Sequence, residues 1–175
     1  MDAYKNIHIY LEEDYFGEPK KMFRYLADLA FQLRPKSTSW LDVGCARGEF
    51  NYFLEQNYPV LVENCGVEIS ADLVSSGSDY LTKSGSNIRL IQASADEFKL
   101  NRHFDVISMT GLVSAIEDLE KVFINSRAHQ NLGDLLLITN KFNHNSSKVI
   151  IKYKQPRLDG CWQTSITHAI SDLES

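Results

Sequence analysis

Two carboxylates and two glycines lie close together in residues 41–50, LDVGCARGEF. Glycine permits the tight turn and the close ligand approach that a strand-to-helix connection needs at a binding site. Asp42 and Glu49 make this turn acidic, which disfavours a pyrophosphate and suits a ligand with a cationic group. A dinucleotide fingerprint requires glycine at positions 44, 46 and 49, whereas this chain has Gly44, Ala46 and Glu49. The turn therefore counts against NAD.

A third carboxylate, Glu68, follows Gly44 by 24 residues, in the segment GVEIS at the end of a predicted strand. A carboxylate at this place can accept hydrogen bonds from both hydroxyls of a ribose. The acidic first turn and Glu68 together predict a nucleoside ligand that lacks a pyrophosphate.

These residues need strands and helices in alternation to position them, and the hydrophobic pattern predicts that alternation. The predicted strands are short and almost wholly apolar, which is typical of a parallel sheet covered on both faces. We therefore predict a doubly wound α/β fold with its ligand site beyond the carboxyl ends of the strands. An N-terminal helix at 18–33 precedes strands at 40–43, 60–69, 88–92, 104–109 and 134–139, and helices at 49–56, 71–83 and 117–130.

The 175 residues fit one domain in three parts. Residues 1–37 form an N-terminal helical cap or lid, in which Tyr15 and Phe16 are candidates to cover the site. Residues 38–140 form the ligand-binding core. Residues 141–175 have space for a strand at 149–154 and a helix at 166–173, and form a short, incomplete region on the other side of the site.

Composition excludes several classes of protein. The net charge of −5 disfavours nucleic-acid binding, which needs a basic surface. No apolar segment is long enough to span a bilayer, so we expect no membrane insertion. Cys45, Cys65 and Cys161 form no CxxC pair, and the histidines show no metal-ligand spacing. We expect reduced thiols, a cytoplasmic protein and no metal; the oligomeric state stays open.

Five segments in order carry a resemblance to a known family: LDVGCARGEF, GVEIS, IQASADEF, FDVISMTGLVSAIEDLEKVF and LGDLLLIT. Over about residues 39–140 the chain resembles the class I S-adenosylmethionine (SAM)-dependent methyltransferases. The resemblance implies a mostly parallel sheet of strand order 3-2-1-4-5, SAM as cofactor and S-adenosylhomocysteine (SAH) as product. The family completes its sheet with two further strands, one of them antiparallel. We expect these to be missing or truncated here, either because the chain continues past Ser175 in a longer protein or because the sheet is abridged.

The resemblance also implies roles for individual residues. Asp42 would orient the first loop and the methionine ammonium group, and Glu68 would hold the ribose hydroxyls. Ile69 would pack on the adenine, and Ala95 would present a backbone amide to it. Backbone around the methionine moiety would come from Gly44, Cys45 and Gly48, and Ser108, Met109 and Thr110 would face the sulfonium and the donated methyl group.

The chain departs from the family pattern at three positions. Ala46 replaces a common glycine, which is a mild change. Ser94 replaces an aspartate that accepts from the adenine amino group in many members, so we expect a weaker contribution to affinity there. Ser114 stands where many small-molecule methyltransferases have a histidine, so the usual candidate base is absent.

The acceptor side is less well defined. An oxygen acceptor needs a general base, and His144, in the segment FNHNSS, is the candidate because that loop should overhang the site. The segment Ser108-Met109-Thr110-Gly111 lacks an Asn-Pro-Pro-Tyr-type sequence, which disfavours the nitrogens of adenine and glutamine. We predict in-line displacement, without covalent enzyme intermediate or metal, onto a small-molecule hydroxyl of a sugar, lipid or metabolite.

Three alternatives remain at this point. The chain is a non-catalytic SAM-binding or partner subunit with a degenerate acceptor site, or an NAD-dependent oxidoreductase, or a protein or RNA methyltransferase whose partner chain grips the acceptor.

Overall fold

The predicted α/β architecture is confirmed by a computed structural model, which describes residues 7–154 and 162–173. Five parallel strands form one sheet in the order β3-β2-β1-β4-β5. The strands of this sheet are β1 (Ser39–Val43), β2 (Glu63–Glu68), β3 (Arg89–Gln92), β4 (Val106–Thr110) and β5 (Leu135–Thr139). The helices are α1 (Ile7–Glu12), α2 (Lys21–Leu33), α3 (Glu49–Asn57), α4 (Ala71–Lys83) and α5 (Glu120–Arg127).

The central strand β1 is buried on both faces because successive side chains of a strand point in opposite directions. On one face Trp40 packs with apolar residues of α2 and α3, including Phe23 and Phe50. On the other face Leu41 and Val43 pack with β4 and with the segment that leads to α5. The two cores hold the carboxyl ends of β1, β2 and β4 at one edge of the sheet.

The N-terminal region differs from the prediction in detail. The helix expected from residue 18 begins at Lys21, and the short helix α1, which was not predicted, precedes it. The helix expected over 117–130 is limited to Glu120–Arg127, and a 3₁₀ turn at Leu112–Ala115 lies before it. Both differences lie beside the expected ligand site.

The C-terminal region corrects the prediction. The strand expected at 149–154 is present as β6 (Val149–Lys154). The helix expected over 166–173 is wrong, because Trp162–Thr167 forms strand β7 and only Ile170–Leu173 forms a 3₁₀ turn. The chain therefore does have two further strands. They pair antiparallel in a sheet of their own, so among the described residues the five-stranded sheet lacks the two strands with which the family completes it, as predicted.

Cys45 and Cys65 are buried free thiols, whereas Cys161 lies outside the described residues. Among the residues that the structure describes, no helix is long and apolar enough to cross a membrane.

Candidate functional site

Two adjoining cavities, of about 240 and 260 Å³, lie at the carboxyl edge of the sheet. They share Gly44, Glu68 and Leu112 as lining residues. Each alone is smaller than a typical ligand pocket of roughly 300–1,000 Å³, but the two together reach that range. This is the place where open α/β sheets bind ligands.

The first cavity lies between the end of β2 and the start of α5. Ile69, Ser94 and Ala95, all predicted from the sequence, line it. Asp96, which was not predicted, also lines it and accepts a hydrogen bond from the hydroxyl of Ser94. A carboxylate is therefore available two residues after the position at which the family pattern places one. On the opposite wall the cavity is lined by Ile116 and Lys121.

Glu68 stands at the junction of the two cavities, and its residue is 2% exposed. Its Oε2 accepts the backbone N–H of Ala46 at 3.1 Å, and its Oε1 accepts that of Ser70 at 3.0 Å. Burial raises the pKa of Glu68, while these backbone hydrogen bonds oppose the shift. The carboxylate thus ties the first turn to the start of α4 and still faces both cavities.

Asp42 lines the second cavity and ends a buried hydrogen-bond chain. The indole N–H of Trp40 donates to Ser108 Oγ at 2.8 Å, and that hydroxyl donates to Asp42 Oδ1 at 2.6 Å. Burial raises the pKa of Asp42 to about 7, against the effect of the Ser108 hydrogen bond; Glu49 and Glu68 raise it further. A cation placed beside this carboxyl group would favour its ionised form.

The turn after β1 is held in place by its own backbone. The amide groups of Gly44 and Cys45 both donate to the carbonyl of Val67, at 2.8 and 3.1 Å, so these N–H groups are already used. Ala46 has a left-handed φ of +51°, which is the conformation that the family's glycine would adopt more easily. Gly48 caps α3 with φ +81° and lines neither cavity, so the structure places it as a turn residue.

The N-terminal segment closes the second cavity. Tyr10, Glu13, Tyr15 and Lys20 line it together with the buried side chain of Glu49. Of these, Tyr15 was expected as a cover of the site, and Glu49 only as part of an acidic turn. Tyr10, Glu13 and Lys20 carried no sequence signal, because their place over the sheet depends on how the chain folds before α2.

Phe16 serves as the anchor of that segment. Its ring is buried and stacks on Tyr80 with centroids 3.8 Å apart, and Tyr52 meets it edge-on at 5.6 Å. The guanidinium group of Arg47 lies 5.1 Å from the same ring. Phe16 therefore holds the N-terminal segment against α3 and α4, and only Tyr15 of the predicted pair faces the cavity.

The three residues predicted to face the donated methyl group separate in the structure. Thr110 lines the second cavity, whereas Ser108 and Met109 are fully buried and line neither cavity. Ser108 reaches the site only through its hydrogen bond to Asp42.

His144 is exposed in the loop after β5 and lines neither cavity. The structure thus does not bring this candidate base to the site. His168 is buried, with its Nε2 at 2.8 Å from the carbonyl of Ile116 and 3.1 Å from that of Val113. It fastens the end of β7 to the wall of the first cavity.

The sequence matches the family described as "Methyltransferase domain" over residues 12–163. The chain belongs to this family, and its fold and strand order are those of the class I SAM-dependent methyltransferases. It is thus a methyltransferase. A search of curated protein sequences finds no significant match.

Several solved structures share the fold at low sequence identity. CalS10, an amino pentose methyltransferase from Micromonospora echinaspora, is 16% identical, with a TM-score of 0.70 over 94% of this chain and 84% of that one. The glycopeptide N-methyltransferase MtfA complexed with SAM is 13% identical, with a TM-score of 0.68 over 86% and 78%. The sugar N-methyltransferase KedS8 from Streptoalloteichus sp ATCC 53650 is 19% identical, with a TM-score of 0.65 over 86% and 73%.

Proposed function

We propose that this chain binds SAM across the two cavities and transfers its methyl group to a small-molecule acceptor, releasing SAH. The observation that carries the proposal is Glu68, a buried carboxylate at the end of β2 that faces both cavities. A ribose held by Glu68 directs an attached adenine into the first cavity and an attached methionine into the second.

The residues present fit the two ends of such a ligand. In the first cavity Ile69 offers an apolar contact to the adenine, and Ala95 and the Ser94–Asp96 pair offer polar groups to its edge. In the second cavity Asp42 accepts the methionine ammonium group, with Cys45 and Thr110 beside it. The buried, neutral thiol of Cys45, whose pKa is raised well above its usual value by burial and the nearby carboxylates, packs there and does not act as a nucleophile.

The chemistry needs positioning more than it needs functional groups. The methyl group that SAM supplies reacts with a lone pair placed in line with the carbon–sulfur bond, and correct placement provides much of the rate. Asp42 would fix the methionine end of the cofactor and Glu68 its central ribose, and the N-terminal segment limits the space in which the acceptor lies.

Sugars are a reasonable acceptor class, because CalS10 and KedS8 are described as methyltransferases of an amino pentose and of a sugar. The lining of the second cavity also favours a small acceptor, since the segment that closes it leaves a cavity of about 260 Å³. Residues 10–20 cover this cavity, as the cap expected within residues 1–37 would. The buried free thiols Cys45 and Cys65 agree with the cytoplasmic location that we propose.

Calorimetric titration with SAM, SAH and NADH tests the cofactor half of the proposal. We expect SAM and SAH to bind, NADH not to bind, and Glu68→Ala to abolish the binding. Glu18→Ala, at an exposed glutamate outside both cavities, is the matched control and should bind like the wild type. A folded protein that binds neither SAM nor SAH, or that binds NADH instead, contradicts the proposal. Binding of SAM without turnover on any acceptor favours the non-catalytic alternative.

A further inference from the structure

The second cavity contains more negative charge than the cofactor accounts for. Under the proposed function, on which this inference rests, Asp42 faces the methionine ammonium group and Glu68 holds the ribose. Glu13 and Glu49 line the same cavity and have no part in either contact. Among the described residues that line this cavity, Lys20 has the only positively charged side chain.

Glu49 is placed firmly. Its residue is 6% exposed, in the first turn of α3, and its Oε2 accepts the backbone N–H of Arg47 at 3.2 Å. The other carboxylate oxygen lies 3.9 Å from Arg47 Nε. Burial raises the pKa of Glu49, and the charges of Arg47 and Lys20 only partly oppose this. A buried carboxylate that a backbone hydrogen bond holds beside a cavity is suited to receive a cation or a proton.

The walls around the two glutamates are aromatic. Tyr10, Tyr15, Phe23 and Phe50 line the cavity, and aromatic faces attract cations. One such contact is already made on this lining, because Lys20 Nζ lies 4.0 Å from the centre of the Tyr15 ring. The combination of aromatic faces and carboxylates fits an organic ammonium group better than it fits a neutral hydroxyl group.

We propose that the acceptor of this methyltransferase is a small primary or secondary amine that enters as its ammonium ion, held by Glu13 and Glu49 between the aromatic walls. This replaces the oxygen acceptor expected from the sequence.

The chemistry balances without another reagent. A glutamate carboxylate removes one proton from the ammonium ion, which frees the nitrogen lone pair. That pair forms the new nitrogen–carbon bond while the methyl–sulfur bond breaks, and the bonding electrons return to sulfur. The products are the methylated ammonium ion and neutral SAH, and the proton on the glutamate is released to solvent. Proton removal by a carboxylate also explains why no histidine is needed among the residues that line the second cavity.

A competing role for the same carboxylates is to neutralise the positive sulfonium of the cofactor. The two roles predict different effects of a neutral substitution at either glutamate on ligand binding. If the glutamates serve the cofactor, their loss weakens SAM binding relative to SAH, which has no sulfonium charge. If they serve the acceptor, binding of both cofactor forms is preserved and binding of the amine is lost.

Binding of benzylamine and benzyl alcohol to the SAH-loaded protein separates these outcomes. The two probes have the same ring and differ in one charged group. We expect benzylamine to bind at least about tenfold more tightly than the alcohol, as a charge-assisted hydrogen bond gives. Glu13→Gln and Glu49→Gln should remove that preference and leave SAM and SAH affinities unchanged; Glu18→Gln is the matched control, which should keep the preference. The side-chain amide that Glu49→Gln introduces can still accept the Arg47 N–H, so the fold is retained.

Turnover supplies the second measurement. With SAM labelled in its methyl group, glucosamine and other amino sugars should accept label and their hydroxyl parents should not. Equal binding of the two probes, a fall in SAM affinity alone in the glutamine variants, or transfer to glucose in preference to glucosamine overturns the inference. Absence of SAH binding instead overturns the proposed function itself.

Discussion

The floor and the roof of the second cavity are built in different ways. The floor consists of the carboxyl ends of β1 and β2 and the turn at residues 44–48. Its carboxylates are buried and hydrogen-bonded, as where Ser108 Oγ donates to Asp42 at 2.6 Å and the Ala46 N–H donates to Glu68 at 3.1 Å. The roof consists of residues 10–20, which are held against the rest of the molecule by the Phe16 ring stacked on Tyr80 and by an exposed hydrogen bond of 3.4 Å from Arg47 Nη1 to the carbonyl of Tyr10.

This difference indicates a division of labour. A cofactor used by a whole family needs a fixed floor, since displacement of a methyl donor from the line of attack lowers the rate. The acceptor differs from one relative to another, so the roof is the part that selects it. The roof of each protein has to admit, enclose and release its own acceptor. Phe16 stacked on Tyr80 marks where the roof is attached to the fixed part.

The largest effect we expect comes from the ionisation of Asp42 in the floor. Its pKa is about 7 in the folded protein, against 3.8 for an unperturbed aspartate side chain, so the folded state keeps a proton that the unfolded state has lost between these pH values. The contribution of Asp42 to stability is therefore fully present only below about pH 4 and is lost as the pH rises towards 7. The fall attributable to Asp42 is up to about 4 kcal/mol. Urea unfolding of wild type and Asp42→Asn from pH 4 to 8 measures it, and the asparagine variant should show the smaller decrease.

Asp105, at the opposite end of the sheet, is the control for that experiment. Burial opposes ionisation there, but hydrogen bonds from the Thr38 and Ser39 backbone outweigh it and lower the pKa. Its contribution to stability is present above the unfolded pKa and is lost as the pH falls. Asp105→Asn should thus change the pH profile in the opposite sense. Parallel profiles for wild type and Asp42→Asn would show that Asp42 is ionised throughout.

A smaller effect is expected from adding a methyl group beneath the floor. A Cβ on Gly77, in α4, would collide with the backbone oxygen of Arg47, which cannot move without shifting the turn. Gly77→Ala should cost about 2–3 kcal/mol, as overpacking does, and weaken SAM binding.

In the roof, a Cβ on Gly17 meets only the end of the Asp14 side chain, which can rotate away. Gly17→Ala should change the free energy of unfolding by less than about 0.5 kcal/mol. If Gly77→Ala and Gly17→Ala destabilised the protein by similar amounts, the floor would not be more rigid than the roof.

A smaller global effect than that of Gly77→Ala should come from loosening the roof. Arg47→Met removes the hydrogen bond to Tyr10, the guanidinium contact with Phe16 and the positive charge beside Glu49, but keeps an apolar side chain. We expect a loss of about 1 kcal/mol in the free energy of unfolding, because the Tyr10 hydrogen bond is exposed whereas the charge beside Glu49 is not. Hydrogen exchange of residues 10–16 should nevertheless accelerate, with exchange in β1 unchanged. Arg34→Met, which breaks the ion pair with Asp134 elsewhere, should leave the exchange of both segments as it is.

Prediction from the sequence was most accurate where the local sequence pattern and the packing of the folded chain favour the same structure. The strand–turn–helix unit around Gly44 and Gly48 and the helix at Ala71–Lys83 follow from local composition, because a buried parallel sheet needs apolar strands that are each followed by a turn and a helix. Glu68 stands out for the opposite reason, as a carboxylate at the end of such a strand. It failed at 166–173, where Ile166, Ala169, Ile170 and Leu173 have helical spacing. Pairing of Trp162–Thr167 with β6 determines the structure there, and sequence spacing does not reveal a partner strand.

The site was predicted unevenly for the same reason. Residues at or soon after the end of a strand, such as Asp42, Glu68 and Ala95, line the cavities as predicted for that position, because strand ends converge at one edge of the sheet. Tyr10 and Glu13 come from a segment before α2 whose path is fixed by the burial of Phe16. His144 was expected over the site because its loop follows β5, but the neighbouring Asn143 is hydrogen-bonded to the segment after β7 and His144 lines neither cavity. The position of such a loop residue therefore depends on the tertiary fold.

The hydrogen-bond chain that ends at Asp42 begins at an indole. Trp40, one of two tryptophans in the chain, is fully buried, and its N–H donates to the hydroxyl whose proton serves Asp42. A charge that appears on Asp42 changes the electric field along this chain and hence the emission energy of the indole. Trp40 is therefore an intrinsic fluorophore coupled to the cofactor site, and replacing Trp162 by phenylalanine would leave it as the single tryptophan emitter with which to follow ligand arrival in real time.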